Sequence, residues 1–73
     1  MSSAPLKPWI ARVGETAGVV WRTLDSGGAM SVSKLVKATG LPREVVLLAL
    51  GWLAREDKID IEDEGRARMV RLR

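Results

Sequence analysis

The stretch SVSKLVKATGLPREVVLLALGWLAR, Ser31 to Arg55, decides the architecture. Ser31 suits a helix N-cap, because its hydroxyl accepts from a backbone N–H that the first turn leaves unpaired. Val32 to Thr39 then form about two helical turns, with Leu35, Val36 and Thr39 inward and Lys34 and Lys37 toward water. Gly40 ends this helix as a left-handed C-terminal cap, and Leu41 fills the turn. Pro42 stands where a helix starts, a place where its fixed φ and missing N–H do no harm. The helix from Pro42 to about Arg55 is the longest. Val46, Ala49, Leu50 and Leu53 are its core stripe, Val45, Leu48 and Trp52 a second stripe, and Leu47 a third apolar position. A helix this apolar on several faces needs more than one surface to pack against.

On the N-terminal side, Val13, Ala17, Val20, Trp21 and Leu24 recur at helical spacing, which predicts a helix over Gly14 to Leu24 with Trp21 in the core. Asp25-Ser26-Gly27-Gly28 stops it, and Ala29-Met30 reads as a short strand. Residues 1–10, with Pro5, Pro8 and the paired Ser2 and Ser3, read as a tail before a single domain over 11–73. On the C-terminal side the period changes to two. Lys58 to Glu62 alternates, Asp63-Glu64-Gly65 is a tight turn, and Arg66 to Arg73 alternates again. Val70 and Leu72 are expected to pair inward with Ile59 and Ile61. Helix, short strand, helix, tight turn, longer helix, hairpin is the order of an α+β winged helix-turn-helix: three helices plus a small antiparallel sheet, with a C-terminal β-hairpin as the wing.

Seventy-three residues exclude the large enzyme folds, and a domain this small buries only a thin core. The chain has no Cys and no His, so thiol and imidazole nucleophiles, disulfides and Cys/His zinc sites are excluded. No carboxylate pair has the spacing and apolar setting of acid–base work, and Gly27-Gly28 lacks the Lys-Ser/Thr of a phosphate loop. The expectation is a non-enzyme without metal or cofactor. No apolar run approaches the ~20 residues of a membrane span, and no basic-then-apolar leader is present, so a cytoplasmic protein is expected. Twelve Lys and Arg against nine Asp and Glu leave a net charge of +3, which permits a nucleic-acid partner without demanding one. The chain holds no Asn or Gln, so bidentate reading of adenine is absent and base readout would fall to Arg or Lys on guanine.

The segments VGETAGVVWRTL (Val13–Leu24) and LALGWLAREDKI (Leu48–Ile59), with MSVSKLVKATGLPREVV (Met30–Val46) in register between them, resemble the short, stand-alone winged helix-turn-helix family of bacteria and archaea known as a domain of unknown function. The likeness covers about Val13 to Leu72, and the run Gly51 to Glu56 is its most distinctive part. It implies a winged-helix fold, a homodimer and binding to DNA, with no catalytic residues. Pro42 departs from the Ser or Asp cap more usual there, which bears on the helix start.

The candidate nucleic-acid-binding residues are Lys34, Lys37, Arg43, Arg66 and Arg68. Arg43 lies in the first turn of the third helix and is the best candidate for a base edge. The plainer alternative makes Arg43 and Glu44 a solvated first turn, with Glu44 favoured by the helix dipole. Arg66, Arg68, Arg71 and Arg73 could neutralise phosphates, but residues 59–73 carry as many acids as arginines, so cross-strand ion pairs compete for them. Lys34 and Lys37 lie on the helix that crosses the backbone in related arrangements, and surface lysines there need no special reason. Leu47, Leu48 and Trp52 are candidates for a dimer or partner interface. Trp52 either closes the core against the wing or anchors a second copy. Gly18 and Gly51 fall inside helices, through close approach of another element or simple tolerance.

Two functions follow. One is a DNA-binding homodimer, a transcription regulator or nucleoid-type binder that contacts phosphates of double-stranded DNA through the third helix and the wing. The other is a protein–protein interaction module with the winged helix as scaffold and no DNA binding.

Overall fold

The computed structural model describes residues 8–73. In chain order it comprises helix α1 (Pro8–Gly27), strand β1 (Met30–Ser31), helix α2 (Val32–Thr39), helix α3 (Arg43–Arg55) and the hairpin β2 (Ile59–Glu64) and β3 (Ala67–Leu72). The sheet is antiparallel in the order β1-β3-β2. This is the expected winged helix-turn-helix.

Local chemistry sets each boundary of the central motif. The Ser31 hydroxyl accepts from the Lys34 N–H at 3.1 Å, capping α2. Gly40 takes φ 69°, and its N–H donates to the Val36 and Lys37 carbonyls, both at 3.2 Å. The Thr39 hydroxyl donates back to the Val36 carbonyl at 2.9 Å and accepts from the Leu41 N–H at 3.3 Å, which tightens the turn. Pro42 is the N-cap of α3, without a side-chain cap bond. At the other end of α3, Asp57 adopts φ 64°. Its N–H donates to the Ala54 carbonyl, and the Lys58 N–H to the Leu53 carbonyl, each at 3.0 Å. That paired closure is a Schellman motif with Asp where Gly is usual.

One core joins all the elements: Ala17, Val20 and Leu24 from α1, Met30, Val32 and Leu35 around β1 and α2, Val46, Ala49, Leu50 and Leu53 from α3, and Ile59 and Val70 from the hairpin. The expected stripe of α3 is buried throughout. In the hairpin, Ile59 faces Leu72 and Ile61 faces Val70, as the alternation predicts. Ile61 is nevertheless exposed: it lies on the outer strand β2, whereas its partner Val70, on the central strand β3, is fully buried.

Five expectations need correction. Asp25, Ser26 and Gly27 continue α1 past the expected end at Leu24, and Gly28, at φ 78°, stops it. Helix α1 starts at Pro8, six residues before the expected start at Gly14, so Trp9 and Ile10 belong to its first turn and the rest of the expected tail, residues 1–7, lies outside the described residues. Arg12 sits over the Trp9 ring, 4.8 Å from its centre. Trp21 is not core but 38% exposed. It follows Val20 by one residue, roughly 100° around the helix, so it falls on the margin of the stripe, beside Leu53 and Lys58. Thr16 is buried in its place. Strand β1 is Met30–Ser31 rather than Ala29–Met30, and the wing turn is Gly65–Arg66. Gly65 takes φ 63° at the first of two turn positions, where a two-residue hairpin turn favours glycine.

Candidate nucleic-acid interface

The sheet pairing determines what faces α3. Because β1 pairs with β3, the wing is held alongside the start of α2, and a groove of about 750 Å³ opens between α3 and the hairpin. Arg43 and Leu47 line it from α3, Arg66, Arg68, Ile61 and the carboxylate of Asp63 from the hairpin, and Ser31 to Ser33 from the start of α2. Leu50 and Val32 are buried residues that contribute to its lining. Three of the five candidate cations, Arg43, Arg66 and Arg68, thus converge on one groove from segments far apart in sequence. Lys34 and Lys37 do not line it. They are exposed one helical turn apart on α2.

The charges of the wing are paired across the ladder. Arg71 bonds Glu62 and, at 2.8 Å, Glu64. Its guanidinium pKa is raised by the hydrogen bond to Glu64 and then by the Glu62 charge. Arg73 bonds Asp57 and lies 3.6 Å from Asp60. Arg68 reaches Asp63, directly opposite on the ladder, at 3.1 Å. The competing expectation of cross-strand pairs therefore describes Arg68, Arg71 and Arg73. Arg66 sits in the turn, outside the ladder. Among the described residues, Arg43, Arg66, Lys34 and Lys37 have no carboxylate within ion-pair distance.

The three apolar candidates separate. Leu47 (43% exposed) faces the groove with Arg43. Leu48 (48%) and Trp52 (45%) do not line it; they form the far flank of α3. Trp9 and Ile10, which the sequence placed in a tail, add exposed apolar area on α1. Their signal was the helical phase: Trp9 lies seven residues before Thr16, on the same face. Among the described residues, no helix is long and apolar enough to cross a membrane, and no group of three or more acids is placed to hold a metal ion.

The winged helix-turn-helix domain pattern DUF2582 matches residues 7–72. An uncharacterised protein of Methanocaldococcus jannaschii is 33% identical over 64 residues, which cover 85% of this chain and 91% of that protein. Among solved structures, protein BT2368 of Bacteroides thetaiotaomicron has TM-score 0.77 and 35% identity, covering 85% of this chain and 76% of that one. Bordetella bronchiseptica BpsR, whose DNA binding is regulated by 6-hydroxynicotinic acid, has TM-score 0.75 at 20% identity. There the overlap is 89% of this chain and 61% of BpsR, a likeness of fold.

Proposed function

Because this chain belongs to the winged helix-turn-helix family DUF2582, we propose that it is a DNA-binding protein rather than a catalyst: a cytoplasmic homodimer that acts as a transcription regulator or nucleoid-type binder. The observation that carries this reading is the convergence of Arg43, Arg66 and Arg68 on the groove between α3 and the wing. With α3 in the major groove and the wing against the neighbouring minor groove, the sugar–phosphate strand between the two runs through this channel. Arg43 and Arg66 meet its phosphates without first giving up an ion pair. Arg68 exchanges Asp63 for a phosphate, which costs little because exposed pairs contribute little. Arg71 and Arg73, each held by two carboxylates, stay with the wing. Lys34 and Lys37 meet the backbone where α2 crosses it. BpsR, with the same fold, is a precedent for DNA binding.

The test is fluorescence anisotropy with mixed-sequence duplex DNA across a salt series. Five phosphate contacts give a log–log slope of about −4.5. Absence of binding at about 50 mM salt, where the phosphate term is strong, overturns the proposal.

The second copy docks on Leu48 and Trp52, on the flank of α3 away from the groove, so dimerisation and DNA binding use different faces. A two-fold dimer then presents two copies of α3 to half-sites about one DNA turn apart. Replacing Trp52 by Ala is expected to shift the protein from dimer to monomer by light scattering at micromolar concentration. An unchanged mass removes this interface.

One observation favours the protein-interaction reading instead. The outward face of α3 carries exposed Leu47, Leu48 and Trp52, and most wing arginines are already paired. That reading predicts no salt-dependent DNA binding.

A further inference from the structure

Arg43, Leu47 and Gly51 follow one another at intervals of four residues, so they form a row along one side of α3. All three line the groove. Arg43 has no carboxylate partner among the described residues. Leu47 is a large apolar side chain left exposed. Among the described residues, nothing but the helix's own backbone lies within 4 Å of where a Gly51 Cβ would stand, so their packing does not require the glycine. Its cost to the helix, up to about 1 kcal/mol against Ala, goes unexplained by the protein's own interior. A surface that approaches α3 closely along this row accounts for it.

The residues of the row determine what that surface presents. With no Asn, Gln or His in the chain, Arg43 is the row's one hydrogen-bonding side chain. An arginine fork matches the O6 and N7 acceptors of guanine, whereas an aliphatic side chain in the major groove matches the thymine C5-methyl. Four residues of helix rise about 6 Å, and a base pair rises about 3.4 Å, so Arg43 and Leu47 address positions one or two base pairs apart. We infer that this row is the base-reading edge of the domain and selects a guanine followed, one or two base pairs on, by a thymine whose methyl packs on Leu47, with Gly51 giving the helix its clearance. The inference rests on the DNA-binding reading above and adds a sequence preference to it: Arg43 stays with a phosphate on mixed-sequence duplex and turns its fork to the base edge where a guanine and a thymine stand at that spacing.

The experiment measures affinity for duplexes of repeated GGTT·AACC, about 20 base pairs long, which offer both spacings. One duplex carries thymine and one uracil, which lacks only the methyl. A third carries 7-deazaguanine, which lacks the N7 acceptor. Loss of one buried methyl corresponds to about a fourfold change. The protein should bind the thymine duplex about fourfold more tightly than the uracil duplex, and Leu47→Ala should close that gap. The 7-deazaguanine duplex should bind roughly fivefold or more weakly, and Arg43→Ala should be indifferent to the exchange. Both variants alter exposed residues and keep the fold. Equal, salt-sensitive binding of the thymine and uracil duplexes overturns the inference and leaves the DNA-binding reading standing. So does a loss in Leu47→Ala that is equal on both. Failure to bind any duplex overturns both together.

Discussion

Replacing Leu35 by Ala is expected to destabilise the domain by about 2–5 kcal/mol. Leu35 is fully buried in the middle of α2, within the cluster that joins α1, α3 and the sheet. Its removal leaves a cavity that the neighbouring helices, fixed by the turn at Gly40, fill only in part. A domain of this size has a total stability of roughly 4–11 kcal/mol. The substitution therefore takes about a fifth of it at the least and leaves the chain largely unfolded at the most. At about 4–8 °C per kcal/mol, a loss of ~3 kcal/mol lowers Tm by about 12–24 °C. Leu48→Ala removes the same atoms from an exposed site and is expected to change stability by less than about 0.5 kcal/mol at low protein concentration. Thermal unfolding followed by tryptophan fluorescence compares the two, at one fixed concentration because dimerisation links stability to it. Equal effects would mean that the core does not lie where the burial of Leu35 puts it.

Leu35 was legible in the sequence, and so was most of the central motif, because its signals are local. Ser31 caps by a bond to a residue three positions on, and Gly40 is needed for a backbone angle of its own. The inward face of the hairpin followed from alternation, since a slip of one residue would turn Val70 outward, but the register did not, because the turn falls at Gly65–Arg66 and not at Asp63 to Gly65. The start of α1 was not legible in the same way. Pro8 fits the first turn of a helix, but Pro5 before it and Gly14 and Gly18 after it weaken every local signal, and packing on α3 overrides them. Trp21 shows a second limit: periodicity gives the direction of a stripe but not where its edge falls. The groove shows a third. Arg43 meets Arg66 and Arg68 only because β1 pairs with β3, a contact between segments forty residues apart in the chain. Charge counting did foresee paired arginines in the wing. It did not single out Arg66, which escapes pairing because the turn is Gly65–Arg66 and leaves it off the ladder.

That difference among the arginines separates their expected roles. Replacing both Arg43 and Arg66 by Glu is expected to reduce affinity for duplex DNA by at least about two orders of magnitude at 50 mM salt. Each phosphate contact contributes roughly 15-fold at that salt if the slope is about −0.9 per contact, so two lost contacts give about 200-fold before any repulsion from the new carboxylates. The log–log slope should fall from about −4.5 to about −2.7. Both side chains are exposed and outside the ion-pair ladder, so Tm should stay within a few degrees of the parent protein. The matched control is Arg71→Glu with Arg73→Glu. It removes the same positive charge but takes it from side chains already satisfied by Glu62, Glu64, Asp57 and Asp60. DNA affinity should change far less in that variant, while the hairpin, deprived of its clamps, loses some stability. If the two double variants lose affinity equally, binding follows net charge alone and the groove has no special part in it. If only the Arg43 and Arg66 pair loses affinity, the contact runs between α3 and the tip of the wing, as the groove requires.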